Sequence, residues 1–86
     1  MQQSGEKLEL TKGHYVVVGA FRIFDNVVRY QQQLQDQGYP CQYSYSSQSL
    51  FYYLYLERRD NLQEARQQRN QTRQGSFPEA WVLSIE

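Results

Sequence analysis

The amino-acid sequence predicts an α+β fold in which two βαβ units follow one another, giving a four-stranded antiparallel sheet with both helices on one face. Three observations predict it. The 86 residues suffice for one small domain and no more. Displaced by 38 positions, the chain matches itself without a gap: Tyr15-Val16-Val17-Val18 falls on Tyr53-Leu54-Tyr55-Leu56, Phe24 on Leu62, Val27 on Ala65, and Tyr39-Pro40 on Phe77-Pro78. Each copy passes from a run of β-branched and aromatic residues to a polar segment with apolar residues at helical spacing.

Tyr15 to Val18 and Tyr53 to Leu56 form the cores of the first and third strands, because such residues suit a pleated, half-buried surface. Phe24, Val27, Tyr30 and Leu34 then recur along one side of a helix. Its start is poorly capped: the equivalent of Asn61 is Ile23, so the cap is expected to pass to Asp25. Gly38 stops this helix, and Pro40 holds Tyr39 extended as the chain re-enters the sheet in a second strand, Cys41 to Tyr45. A polar hairpin connection from Ser44 to Leu50 leads to the third strand. In the second helix Asn61 supplies the cap and Glu64 completes a capping box. The inward stripe there is thin, consisting of Leu62, Ala65 and the stem of Arg69, because Gln68 and Thr72 replace the equivalents Tyr30 and Leu34. Weaker hydrogen-exchange protection is expected in the second helix than in the first. Gly75 and Phe77-Pro78 repeat the stop, and Ala80 to Ile85 form the last strand. Residues 1–12 read as a tail or linker and residues 13–86 as the domain.

Tandem βαβ units put the first and third strands at the centre of the sheet. Side chains alternate along a strand, so Val16, Val18, Leu54 and Leu56 are expected to face the helices, with Tyr15, Val17, Tyr53 and Tyr55 on the opposite face. The inverted phase would bury those tyrosines under the helices. Trp81, in an edge strand, is assigned to neither face by alternation alone. An uncovered sheet face with tyrosines at its middle is a recognition platform, since each offers a flat apolar ring and a hydrogen-bonding tip.

Nine Lys and Arg balance nine Asp and Glu, so no net field draws a polyanion or an acidic membrane to the chain. Aromatics, at 15% of residues, argue against disorder of the whole. No apolar stretch, Tyr15 to Val18 included, approaches the roughly 20 residues that span a bilayer. The opening Met-Gln-Gln-Ser-Gly-Glu-Lys lacks the apolar core of a secretory signal, so an exported protein would appear here in trimmed form. Cys41, as the sole cysteine, excludes an internal disulfide and a multi-cysteine metal site. A Cys41–His14 nucleophilic pair would require the two to meet in space; the plain alternative is a small buried thiol and a strand-flanking His. Glu57, Asp60 and Glu64 are the nearest candidates for a carboxylate pair, but helix-start chemistry explains Asp60 and Glu64 better. With no phosphate loop, zinc spacing or cofactor signature, no catalytic residue, metal or cofactor is expected. Arg66, Arg69 and Arg73 read as a solvated helix face, and the Gln run at 31–33 as helix surface.

Gly13-His-Tyr-Val-Val-Val-Gly-Ala-Phe21 resembles the opening strand and turn of the SPOR domain, the sporulation-related repeat of bacterial cell-envelope proteins. Asn26-Val27 in the helix, Gly38-Tyr39 at its end, and Phe77-Pro-Glu-Ala-Trp-Val-Leu83 near the close follow in the family's order. The resemblance covers residues 13–86, and its first and last motifs look most like SPOR domains of Bacteroidetes envelope proteins. It implies a non-catalytic peptidoglycan-binding module of the periplasm or cell envelope. Such a module grips glycan strands, especially those stripped of stem peptides, on its open sheet face and adjoining loops. The implied site takes in Tyr15, Val17, Gln42, Ser44, Tyr53, Tyr55 and Trp81. Rings stack on sugar C–H groups, while amides and hydroxyls meet N-acetyl and hydroxyl groups, with no charge required.

The chain departs from the family at Val17, where many members carry Gln, and at Leu56-Glu57-Arg58, where a Gly-rich turn is usual. Those departures make the alternative a protein-docking module of an envelope complex that has lost glycan binding. A second alternative is an RNA-recognition domain, which shares this ferredoxin-like order of strands and helices and stacks bases on central-strand aromatics. Its basic-aromatic signature is missing here, and steep weakening by salt would mark it out. The partners expected are therefore glycan strands and envelope proteins, with no nucleic acid and no membrane insertion, for a monomeric domain.

Overall fold

The computed structural model describes residues 9–86. Its elements run β1 (Gly13–Phe21), α1 (Phe24–Asp36), β2 (Gln42–Ser46), β3 (Phe51–Arg59), α2 (Leu62–Gln74) and β4 (Trp81–Ile85). All strand pairs are antiparallel and the sheet order is β2-β3-β1-β4, so the two aromatic strands hold the centre. This is the expected split βαβ fold. The second and fourth strands each begin one residue later than the sequence suggests, at Gln42 and Trp81, and the preceding Cys41 and Ala80 are buried.

The duplication reaches down to single residues. β3 starts 38 residues after β1 and α2 starts 38 after α1, each with the length of its counterpart. The β1–β3 register obeys the same offset. Val16 pairs with Glu57 and Gly19 with Leu54, while Val17 pairs with Tyr55, its own equivalent. Pairing passes over Val18 and Leu56, which are also equivalents. An approximate two-fold axis therefore passes through the Val17–Tyr55 pair, flanked by two bulges that add local twist.

The helices cover one face. Val27, Leu34, Cys41, Tyr52 and Leu54 form a buried cluster there, with Val18, Phe21, Tyr30, Tyr39, Leu56 and Phe77 packed around it. α1 buries Val27 and Leu34, whereas α2 buries only Ala65, as its polar stripe predicts. At the start of α2 the Asn61 side chain accepts a hydrogen bond from the Glu64 N–H at 3.0 Å. The cap of α1 does not pass to Asp25. The helix begins at Phe24 with Ile23 in the cap position, and Ile23 has no side-chain acceptor to offer. Its carbonyl instead receives both the Asn26 N–H at 3.1 Å and the Val27 N–H at 3.4 Å. Beyond α1, Gly38 adopts φ 92°, a conformation that favours glycine, and the Tyr39 N–H returns to the Leu34 carbonyl.

The folded body also begins earlier than residue 13. Residues 9–12 pack against the sheet, with Leu10 only 8% exposed; the rest of the expected tail, residues 1–8, lies outside the described residues.

Candidate functional site

Alternation places the side chains as expected on the face away from the helices. Tyr15, Val17, Tyr53 and Tyr55 lie there, joined by Leu83 and Ile85 from β4. Trp81 pairs with Val17 and meets the Tyr53 ring edge-on, with centroids 5.9 Å apart, which puts it on the same face. Phe51 continues the row beside Tyr53 at 6.1 Å, and the Arg22 guanidinium caps Phe51 at 5.3 Å. On the other side of the dyad Tyr55 leans on Tyr15 at 4.8 Å and donates from its hydroxyl to the Gln42 amide oxygen at 3.4 Å.

The face is not bare along its whole length. Tyr15 is 2% exposed and Val17 is 0% exposed, in one buried cluster with Leu10 against which Tyr53, Tyr55, Leu83 and Ile85 also pack. Ser44, which pairs with Tyr53, is buried as well. Those three residues belong to the face by register yet offer almost no surface in this conformation. Tyr53 and Tyr55 are half-buried, Gln42 is exposed, and Trp81 is 37% exposed. The accessible site therefore consists of a Tyr53–Trp81–Phe51 aromatic row and a Tyr55–Gln42 pair. A groove lined by Gln42, Tyr55, Glu57 and Arg58 together with Gln35 of α1 and Cys41 and Leu56 of the helix-side core adjoins that pair.

Residues 9–12 are held by several contacts that the sequence did not announce. The Glu9 carboxylate accepts from the Ser47 N–H at 2.9 Å and the Ser47 hydroxyl at 3.0 Å. The Leu10 N–H donates to the Tyr45 carbonyl at 2.9 Å, extending the β2 edge by one parallel bridge. The Tyr15 hydroxyl donates to the Thr11 carbonyl at 2.7 Å and accepts from the Thr11 N–H at 3.1 Å. The Arg58 guanidinium donates from both Nε and Nη2 to the Lys12 carbonyl, while Nη1 pairs with Asp60 at 3.0 Å. At Gly13 the chain turns with φ 149°, and a Cβ there would lie 2.6 Å from Arg58 Nε. A glycine just before an aromatic strand was the one available hint of this reversal.

The candidate chemical groups do not converge. His14 Nδ1 is bonded to the Ser84 hydroxyl at 2.7 Å in β4, while Cys41 sits in the helix-side core with its sulfur toward the Gln31 carbonyl. Burial pushes the Cys41 thiol above its ordinary pKa, the opposite of activation. Glu57 pairs with Arg59 and Asp60 with Arg58. Among the described residues no cluster of three or more His, Cys, Asp or Glu side chains could hold a metal ion. No described helix is long and apolar enough to cross a membrane.

A two-layer body that presents aromatic rings on one open sheet face defines a binding module. The family model of the SPOR domain matches residues 10–84, and the chain belongs to that family. SPOR domains are peptidoglycan-binding modules of cell-envelope proteins rather than enzymes. No curated protein and no solved structure matches the chain significantly.

Proposed function

We propose that this domain binds the glycan strands of peptidoglycan, selecting stretches stripped of stem peptides, and so anchors or targets its parent protein in the periplasmic envelope. The observation that carries this reading is the Tyr53–Trp81 pair standing beside Tyr55–Gln42 on one helix-free face. Rings at 5.9 Å in an edge-to-face pair present one flat surface and one edge, which suits the C–H face of a sugar ring. The Gln42 amide and the tyrosine hydroxyls supply donors and acceptors for N-acetyl and hydroxyl groups. Tyr15, Val17 and Ser44 belong to the same face and are buried in this conformation.

Intact and amidase-treated sacculi provide the test. Wild type should be retained more strongly on the treated material, and Tyr53→Ala or Tyr55→Ala should each weaken retention by about tenfold, the scale of one lost aromatic contact. Enrichment that survives both substitutions would place the site elsewhere. A docking role is the second reading, favoured by the exposed apolar side chains Ile23, Phe24 and Val28 at one end of α1. Absence of retention on either material would favour it.

A further inference from the structure

Resting on the glycan-binding reading, we infer that residues 9–12 form a displaceable strap across the sheet face, and that a glycan strand gains the full face only when the strap swings away. Leu10 of the strap shares a buried cluster with Tyr15 and Val17, against which the accessible Tyr53 and Tyr55 also pack, and Val17 lies at the dyad of the fold. Lifting it would open that part of the face.

The duplicated architecture shows why this segment differs from its counterpart. Thr11 and Ser49 are equivalents, and both place a hydroxyl against the tyrosine four residues later: Thr11 Oγ1 lies 3.1 Å from the Tyr15 hydroxyl and Ser49 Oγ lies 3.0 Å from the Tyr53 hydroxyl. In the second copy that segment is the β2–β3 turn, tied into the sheet at both ends. In the first copy, among the described residues, the segment runs directly into β1 at one end and meets β2 at the other by a single isolated bridge. Its single apolar anchor is Leu10. The Glu9–Ser47 bonds and the Arg58–Lys12 bonds are exposed, where water can replace them at small net cost, and the part-buried bonds of Thr11 to the Tyr15 hydroxyl are the ties whose loss opening must offset. Gly13, at φ 149°, is the residue where the reversal would open, and Arg58 brackets it through the Lys12 carbonyl.

A closed strap lowers apparent affinity by the fraction of molecules that are open, so loosening it should strengthen binding. Glu9→Ala is the first variant, because the Glu9 side chain is at the surface and its loss does not threaten the core. With soluble amidase-stripped glycan strands as the probe, Glu9→Ala should bind about three- to tenfold tighter than wild type, the span of one lost hydrogen-bonded contact. Leu10→Ala should act in the same direction. Exchange of the Leu10 amide, bonded to the Tyr45 carbonyl, should accelerate when glycan is added. Unchanged or weaker binding by Glu9→Ala, with a Leu10 amide better protected in the presence of glycan, would overturn the proposal and make residues 9–12 a fixed wall of the site. A Leu10 amide that exchanges only through global unfolding would overturn it too. If no variant binds while the Leu10 amide still opens locally, the glycan reading fails and the strap itself stands.

Discussion

Removing the Asn61 cap tests how α2 is held. The Asn61 side chain satisfies the Glu64 N–H, one of the donors that the first turn of a helix leaves unpaired, and the Ala65 N–H reaches the Asn61 carbonyl at 3.1 Å. Asn61→Ala should cost about 1 kcal/mol, within a range of roughly 0.5–2. The helix has little with which to offset that loss. Ala65 is its one buried residue, against Val27 and Leu34 in α1, and Arg73 secures the far end through a 2.7 Å bond to the Ala80 carbonyl. In a domain of this size about 1 kcal/mol shifts Tm by roughly 4–8 °C. Thermal and urea denaturation would give the global figure, and native-state exchange would show where it falls. The amides of α2 should exchange faster than those of α1 in the wild type, and the Glu64 amide should lose protection in the variant. Equal protection of both helices in the wild type would refute the thin-core argument. A Tm unchanged by more than about 1 °C, with Glu64 still protected, would refute the role of the cap.

Leu54→Ala, at a fully buried position in the central strand β3, should cost about 2–5 kcal/mol and leave much of the chain unfolded at 37 °C by circular dichroism. Gly13→Ala combines a positive φ with a methyl group crowding Arg58, so it should destabilise the fold by about 1–2 kcal/mol in urea and deprotect the Leu10 amide first. Cys41 should resist alkylation in the native state at neutral pH. Because its folded pKa is raised, the native state holds the thiol proton more tightly than the unfolded chain. That contribution is full below the ordinary thiol value of about 8.5 and is lost as pH climbs through the raised folded value. The stability difference between wild type and Cys41→Ala should therefore shrink between pH 7.5 and 10 in urea melts. Ile23→Asn, on a backbone matching that of Asn61, should protect the Asn26 amide while changing global stability by no more than about 0.5 kcal/mol, since the lost partial burial of Ile23 offsets the gained cap.

Much of the fold can be read from side-chain chemistry and period alone. The 38-residue offset, the strand composition and the helical spacing determine the element order, and alternation assigns Tyr15, Val17, Tyr53 and Tyr55 to the helix-free face, because each of these signals is local to a few consecutive residues. Even the weakness of α2 is legible, since Gln68 and Thr72 stand where Tyr30 and Leu34 would repeat. The state of the site is a different matter. Whether Trp81 faces Tyr53 depends on the register of an edge strand, which only the pairing with Val17 settles. Whether Tyr15 is a platform or a buried ring depends on four residues before Gly13 that have neither helical nor strand period, and whose partners Ser47, Tyr45 and Arg58 are more than 30 residues away in the chain. Sequence pattern determined which way the tyrosines of the two central strands point; the long-range packing of Leu10 and of the β3 and β4 side chains around Tyr15 and Val17 decided which of these residues solvent can reach, because burial depends on what the folded chain brings overhead and not only on a residue's own neighbours.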